Sequence, residues 1–158
     1  MKAAILTETN NGLMLNNYRG FGAQSVKQIF HDFGKECTVF DFATFWERTE
    51  LKESLKQYFA NSQDNVLGLS VPIRSNSGKF NTLPYFIEFA KELKKELQNI
   101  KIIIGGLRRV DLDELELIKE DIDAVFLGRP KEMLQDWIAG KDLSRFNDTE
   151  YNHIYTNR

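Results

Sequence analysis

Short apolar runs alternate along the chain with longer segments whose apolar residues recur at helical spacing. Lys2 to Thr7 (KAAILT) predicts a first strand, and its unbroken apolar interior points to burial on both faces. A polar loop rich in Gly and Asn, ETNNGLMLNNYRG, follows it. Ala23, Val26, Ile29, Phe30 and Phe33 then fall at helical spacing, and Gly34 is placed to stop that helix. Glu36 to Phe42 (ECTVFDF) predicts a second strand, and Leu51, Leu55, Tyr58 and Phe59 give an apolar face to a helix over Thr49 to Ala60. Asn65 to Pro72 (NVLGLSVP) predicts a third strand with a polar exit, IRSNSGKFN. Leu83, Phe86, Ile87, Ala90, Leu93 and Leu97 form the clearest amphipathic stripe, opposite a Lys/Glu face. Ile100 to Ile104 predicts a fourth buried strand ending on Gly105-Gly106. Leu112, Leu115 and Ile118 suggest a short helix, and Ala124 to Leu127 a fifth strand. Pro130 suits a first helical turn, with Met133, Leu134, Trp137 and Ile138 on one face and Gly140 as the stop.

Five strand–helix units in series imply an α/β fold: a parallel sheet, right-handed crossovers and helices on both faces. Residues 1–140 are expected to form one domain. The remainder, residues 141–158, is polar and without period, and reads as a tail or a linker.

Composition narrows the function classes. With 158 residues the chain buries roughly 68–70% of its unfolded surface, so it needs no disulfide or metal staple. The 21 Lys and Arg against 23 Asp and Glu leave no cationic excess for a nucleic-acid surface. No run approaches the roughly 18 apolar residues of a membrane span, and the start lacks a signal-peptide apolar stretch, so a cytoplasmic protein is expected. The single cysteine, Cys37, cannot build a zinc or iron–sulfur cluster, and two histidines are too few for a histidine metal site without carboxylates.

In an open parallel sheet, ligands bind outside the carboxyl ends of the strands. The loops there, 8–22, 70–81, 105–110 and 128–132, are polar or carry glycine, whereas the opposite turns are short and plain. Gly105-Gly106 permits close approach of a flat ligand or makes a tight turn, and the dipeptide alone does not separate the two. Ser70 can hydrogen-bond into the crevice or cap its strand. Glu132, near a helix N-terminus, complements the macrodipole. No GxxxxGK[ST] is present, and Gly20 and Gly22 lie too far from the first strand for a dinucleotide turn. Glu8, Asp41 and Asp123 do not make a phosphoacceptor site, because the third strand ends Ser-Val-Pro where the acceptor aspartate is needed. His31, in His31-Asp32-Phe33-Gly34, matches the end of the DxHxxG cobalt-ligand signature, but Ile29 replaces its Asp and its position is late in the first helix. It reads as a surface histidine, and Cys37, inside a strand, as a core residue.

The ordered segments resemble the cobalamin-binding domains of cobalamin-dependent radical-SAM proteins. The resemblance is carried by YRGFGAQSVKQIFHDFGKECTVFDFATFW, NVLGLSVP, IKIIIGG and IDAVFLGRPKEML, and it runs from Lys2 to about Gly140. It implies a flavodoxin-like (Rossmann-like), doubly wound, five-stranded parallel sheet. The corrin would lie across the carboxyl edge with its nucleotide tail in the sheet crevice. Ser70 and Val71, Gly105, Gly106, Gly128 and Glu132 are the matching cofactor-binding positions, and location adds Thr7, Glu8, Asn10 and Asn11. The resemblance supplies no protein ligand to cobalt and no catalytic residue.

The radical-SAM CxxxCxxC motif is missing, so no iron–sulfur cluster is expected in this chain, which is not a complete enzyme on its own. The resemblance therefore implies cobalamin as cofactor and a radical-SAM domain or subunit, in cis or in trans, as partner. Arg74, Arg108, Arg109 and Arg129 crowd the same edge, where they suit a corrin rim, a phosphate or an acidic partner. Two alternatives stay open: a cofactor-free interaction or scaffold module, and a flavin- or nucleotide-binding flavodoxin-like protein.

Overall fold

The computed structural model describes residues 1–7, 21–70, 83–107, 120–127, 130–143, 146 and 153–156. Along the chain these form β1 (Lys2–Thr7), α1 (Phe21–Asp32), β2 (Glu36–Phe40), a 3-10 turn (Ala43–Phe45), α2 (Arg48–Phe59), β3 (Asn65–Ser70), α3 (Leu83–Glu96), β4 (Ile100–Leu107), β5 (Ala124–Leu127), α4 (Pro130–Ile138) and β6 (His153–Thr156). One sheet contains all six strands in the order β2-β1-β3-β4-β5-β6. The first five are parallel, in the flavodoxin-like order, so the strand order reverses between β1 and β3.

Strand residues alternate between two apolar layers. Ala4, Leu6, Leu67, Leu69, Ile102 and Ile104 pack under α2 and α3. Ala3, Ile5, Val66, Ile103, Ala124 and Phe126 pack on the other face, under α1 and α4. This two-sided burial is why the strands lack polar alternation. α1 ends as its pattern predicts: Gly34 has φ 66°, its N–H bonds the His31 carbonyl at 2.8 Å, and the Lys35 N–H reaches the Phe30 carbonyl at 2.9 Å. That pair of bonds is a Schellman stop, and it turns the chain straight into β2. At the start of α2, the Glu47 carboxylate accepts from the N–H groups of Thr49 (2.8 Å) and Glu50 (3.3 Å).

The five expected strands and the helices over 23–33, 49–60, 83–97 and 130–138 are present, with ends moved by a few residues. β4 continues through Gly105-Gly106 to Leu107 instead of stopping before them. The helix expected around Leu112 to Ile118 lies outside the described residues. One difference changes the architecture: His153–Thr156 adds a sixth strand, antiparallel to β5, where the sequence pattern offered no element. The pairing runs through backbone groups, which any sequence carries, so side-chain periodicity did not announce it.

Candidate functional site

The carboxyl ends of β1, β3, β4 and β5 surround a cavity of about 370 Å³ on the α1/α4 face of the sheet. Its position follows from register. Parallel pairing sets Ile5, Gly68 and Ile103 in one row across β1, β3 and β4, and Thr7, Ser70 and Gly105 in the next row toward the edge. Ile5 and Ile103 belong to the α1/α4 layer, so both rows point that way. The middle of the lower row is a glycine, which leaves a depression between two isoleucines. A Cβ added at Gly68 would collide with the Ile5 Cδ1, so the isoleucine tip lies over the glycine and forms the floor. Val26 of α1 and Leu134 of α4 make the walls, Phe126 of β5 closes one side, and Gly22 opens the first turn of α1 beside the mouth.

The upper row is open. A Cβ at Gly105 would meet nothing within 4 Å, and its φ lies outside the left-handed region. Neither backbone conformation nor packing within the described residues therefore demands a glycine there. Gly106 differs, with φ 81°. The β4–β5 register slips between Gly105 and Leu107, making Gly106 the extra residue of a bulge that only glycine adopts without strain.

Of the residues singled out from the sequence, Ser70, Gly105 and Gly106 come together on this cavity. Thr7 shares a row with Ser70 and Gly105 but is fully buried and is not part of the lining. Glu132 is exposed in the first turn of α4, two residues before Leu134, and also stands outside the lining. Glu8, Asn10, Asn11, Val71, Gly128 and the arginines 74, 108, 109 and 129 lie outside the described residues. Sequence reasoning did not single out the apolar lining: Ile5, Val26, Ile103, Phe126 and Leu134. The available signal was Gly68, an isolated glycine inside an otherwise apolar strand, which marks close backbone approach or missing side-chain volume.

The other reactive side chains are structural. Burial pushes the Cys37 thiol up to about 12, against a weaker opposing pull from Lys27, so it is no nucleophile near neutrality. His31 is exposed near the end of α1, and its Nε2 lies 3.1 Å from the Cys37 carbonyl, toward the amino ends of the strands and away from the cavity. Asp123 precedes β5 and accepts from the Ile102 N–H at 2.7 Å, extending the ladder between β4 and β5. Among the described residues no group of three or more His, Cys, Asp or Glu side chains can hold a metal ion, and no helix is long and apolar enough to cross a membrane.

This arrangement can hold a flat apolar group and shield it from water, and it contains no set of side chains able to perform acid–base or nucleophilic chemistry. Its fold recurs in a known enzyme. Two solved structures of the radical S-adenosylmethionine methyltransferase TsrM from Kitasatospora setae superpose on the chain. One, described with tryptophan substrate and the SAM analogue aza-SAM bound, gives a TM-score of 0.63 at 16% identity, covering 90% of this chain and 27% of that one. The other, described with cobalamin and a [4Fe-4S] cluster bound, gives 0.64 at 17% identity, covering 90% and 28%. The chain thus spans a little over a quarter of the TsrM chain, and at this identity the likeness establishes the fold. No family model matches the sequence, and no curated protein does.

Proposed function

We propose that this chain is a cobalamin-binding module that serves radical-SAM chemistry carried by a domain or subunit outside these 158 residues. The observation that carries the proposal is the apolar cavity at the β1/β3 switch point, floored at Gly68 and left open at Gly105. A cavity of about 370 Å³ equals roughly a dozen waters at ~30 Å³ each, enough for a bicyclic base and far too small for a corrin macrocycle. The residues present fit the cofactor in that divided sense, with the nucleotide tail in the crevice and the ring outside, over the carboxyl edge. Bound cobalamin supplies a redox-active cobalt centre for group transfer.

The chain's own residues bind and orient. Ile5, Val26, Ile103, Phe126 and Leu134 take the tail's apolar base out of water. Gly105 and the Gly106 bulge let the cofactor approach the strand ends without meeting a side chain. We assign Ser70 the one side-chain hydrogen bond that the described lining can offer. The likeness to a TsrM structure with cobalamin bound supports this reading. The lone cysteine supports the second half of it, because a [4Fe-4S] cluster needs several thiolates and must come from elsewhere.

Incubation of the purified chain with hydroxocobalamin, desalting and a visible spectrum tests the proposal. Retained corrin absorbance near one equivalent is the expected result. A colourless protein with an unchanged melting curve points to a cofactor-free scaffold, and binding in a parallel flavin mononucleotide titration points to a flavin protein.

A further inference from the structure

We propose that the cavity selects among corrinoids by the base on the nucleotide tail, accepting benzimidazole-type bases and rejecting purines. The inference rests on the cobalamin reading above and goes beyond it, because it concerns which members of the cofactor class the chain retains. Among the described lining residues, Ser70 is the one polar side chain; the remainder are aliphatic, Phe126, or glycine. The floor supplies no spare backbone groups, since β3 is paired on both sides, with β1 and with β4, along its whole length. A base entering this space thus finds apolar walls and one hydroxyl.

A benzimidazole joined to ribose through one ring nitrogen has a single polar atom left, its other ring nitrogen, which one hydroxyl can satisfy by donating. An adenine joined through one ring nitrogen keeps three more ring nitrogens and an exocyclic amine, four polar positions for the same hydroxyl. Buried polar groups without partners lose their hydration and regain nothing, so the purine is disfavoured by its unmatched positions. The expected discrimination is about 10- to 100-fold, the scale on which sites reject groups they cannot pair.

The test measures equilibrium binding of the full chain to three corrinoids by dialysis and corrin absorbance: cobalamin, its adenine-base analogue, and cobinamide, which lacks a base. Cobalamin is expected to bind at least tenfold more tightly than either of the others. Equal binding of cobalamin and cobinamide would mean that the base does not enter the cavity, overturning the inference while leaving cobalamin binding in place. Equal binding of cobalamin and the adenine analogue, both tighter than cobinamide, would mean that the base enters without selection, which also overturns it. Failure of all three to bind overturns the cobalamin reading and the inference together. Val26→Gln is the complementary variant: the half-buried position on α1 tolerates a good helix former, and its carboxamide can pair with adenine. It is expected to narrow the preference by several-fold, and an unchanged ratio would count against Val26 facing the base.

Discussion

Replacing Gly105 with leucine separates a glycine kept for a ligand from one kept for the fold. Position 105 sits in β4 with φ outside the left-handed region, and a Cβ there meets nothing within 4 Å. Without cofactor, removing a glycine restricts the unfolded chain and stabilises by about 0.4–1 kcal/mol. For a chain of this size that raises the melting temperature by about 1–4 °C. With cofactor the sign reverses, because the leucine occupies the row above the cavity floor. Forcing extra methylenes into a filled site costs about 1–3 kcal/mol, which weakens binding by roughly 5- to 150-fold. The assay pairs a thermal melt of the free chain with a cobalamin titration followed by corrin absorbance. Gly106→Ala is the contrasting variant: at φ 81° an alanine is strained, and a loss of about 1–2 kcal/mol is expected with no ligand present. A Gly105→Leu protein that loses more than about 2 kcal/mol of stability would show that this glycine serves packing, refuting the open-row argument. One that binds cobalamin as tightly as the parent chain would refute the placement of the cofactor.

Three further expectations follow from the same structure. Cys37, buried and with its thiol pushed up to about 12, should resist a disulfide reagent in native protein at mildly alkaline pH and react fully in denaturant; prompt native labelling would contradict its burial. Glu96 accepts from Lys52 at 2.9 Å and Lys56 at 3.0 Å, which holds its carboxyl below the usual range, so the pair of contacts stabilises the fold above that range and is lost as pH falls through the lowered value. The stability gap between the parent and Glu96→Gln should accordingly be present at neutral pH, shrink in acid and shrink in high salt, and a gap that persists in acid would assign the effect to packing. Phe126 lines the cavity and meets Trp137 edge-on at 6.2 Å, so in a Trp46→Phe background, where Trp137 is the sole tryptophan, cobalamin binding should quench fluorescence in proportion to occupancy; unaltered emission at saturation would place the ligand elsewhere.

The sequence by itself determined the elements, because each depends on neighbours a few residues away. Apolar runs such as Ala3 to Leu6 and Ile102 to Ile104 are strands buried on two faces, and the stripe from Leu83 to Leu97 is a helix lying on one of them. The likely-looking chemistry it offered, His31 and Cys37, was already readable as surface and core, and both are so placed. Ser70, Gly105 and Gly106 were legible because they end strands, and strand ends are where a parallel sheet opens. Only the tertiary structure decided what else meets them. The cavity is made by residues far apart in the chain, Ile5, Val26, Phe126 and Leu134, whose apolar character is the same whether they fill a core or line a space. Register alone puts Gly68 between Ile5 and Ile103, and packing alone leaves room above Gly105. The sixth strand is the plainest case: it pairs through backbone hydrogen bonds, which leave no mark in the side-chain pattern and form only when β5 already offers its edge.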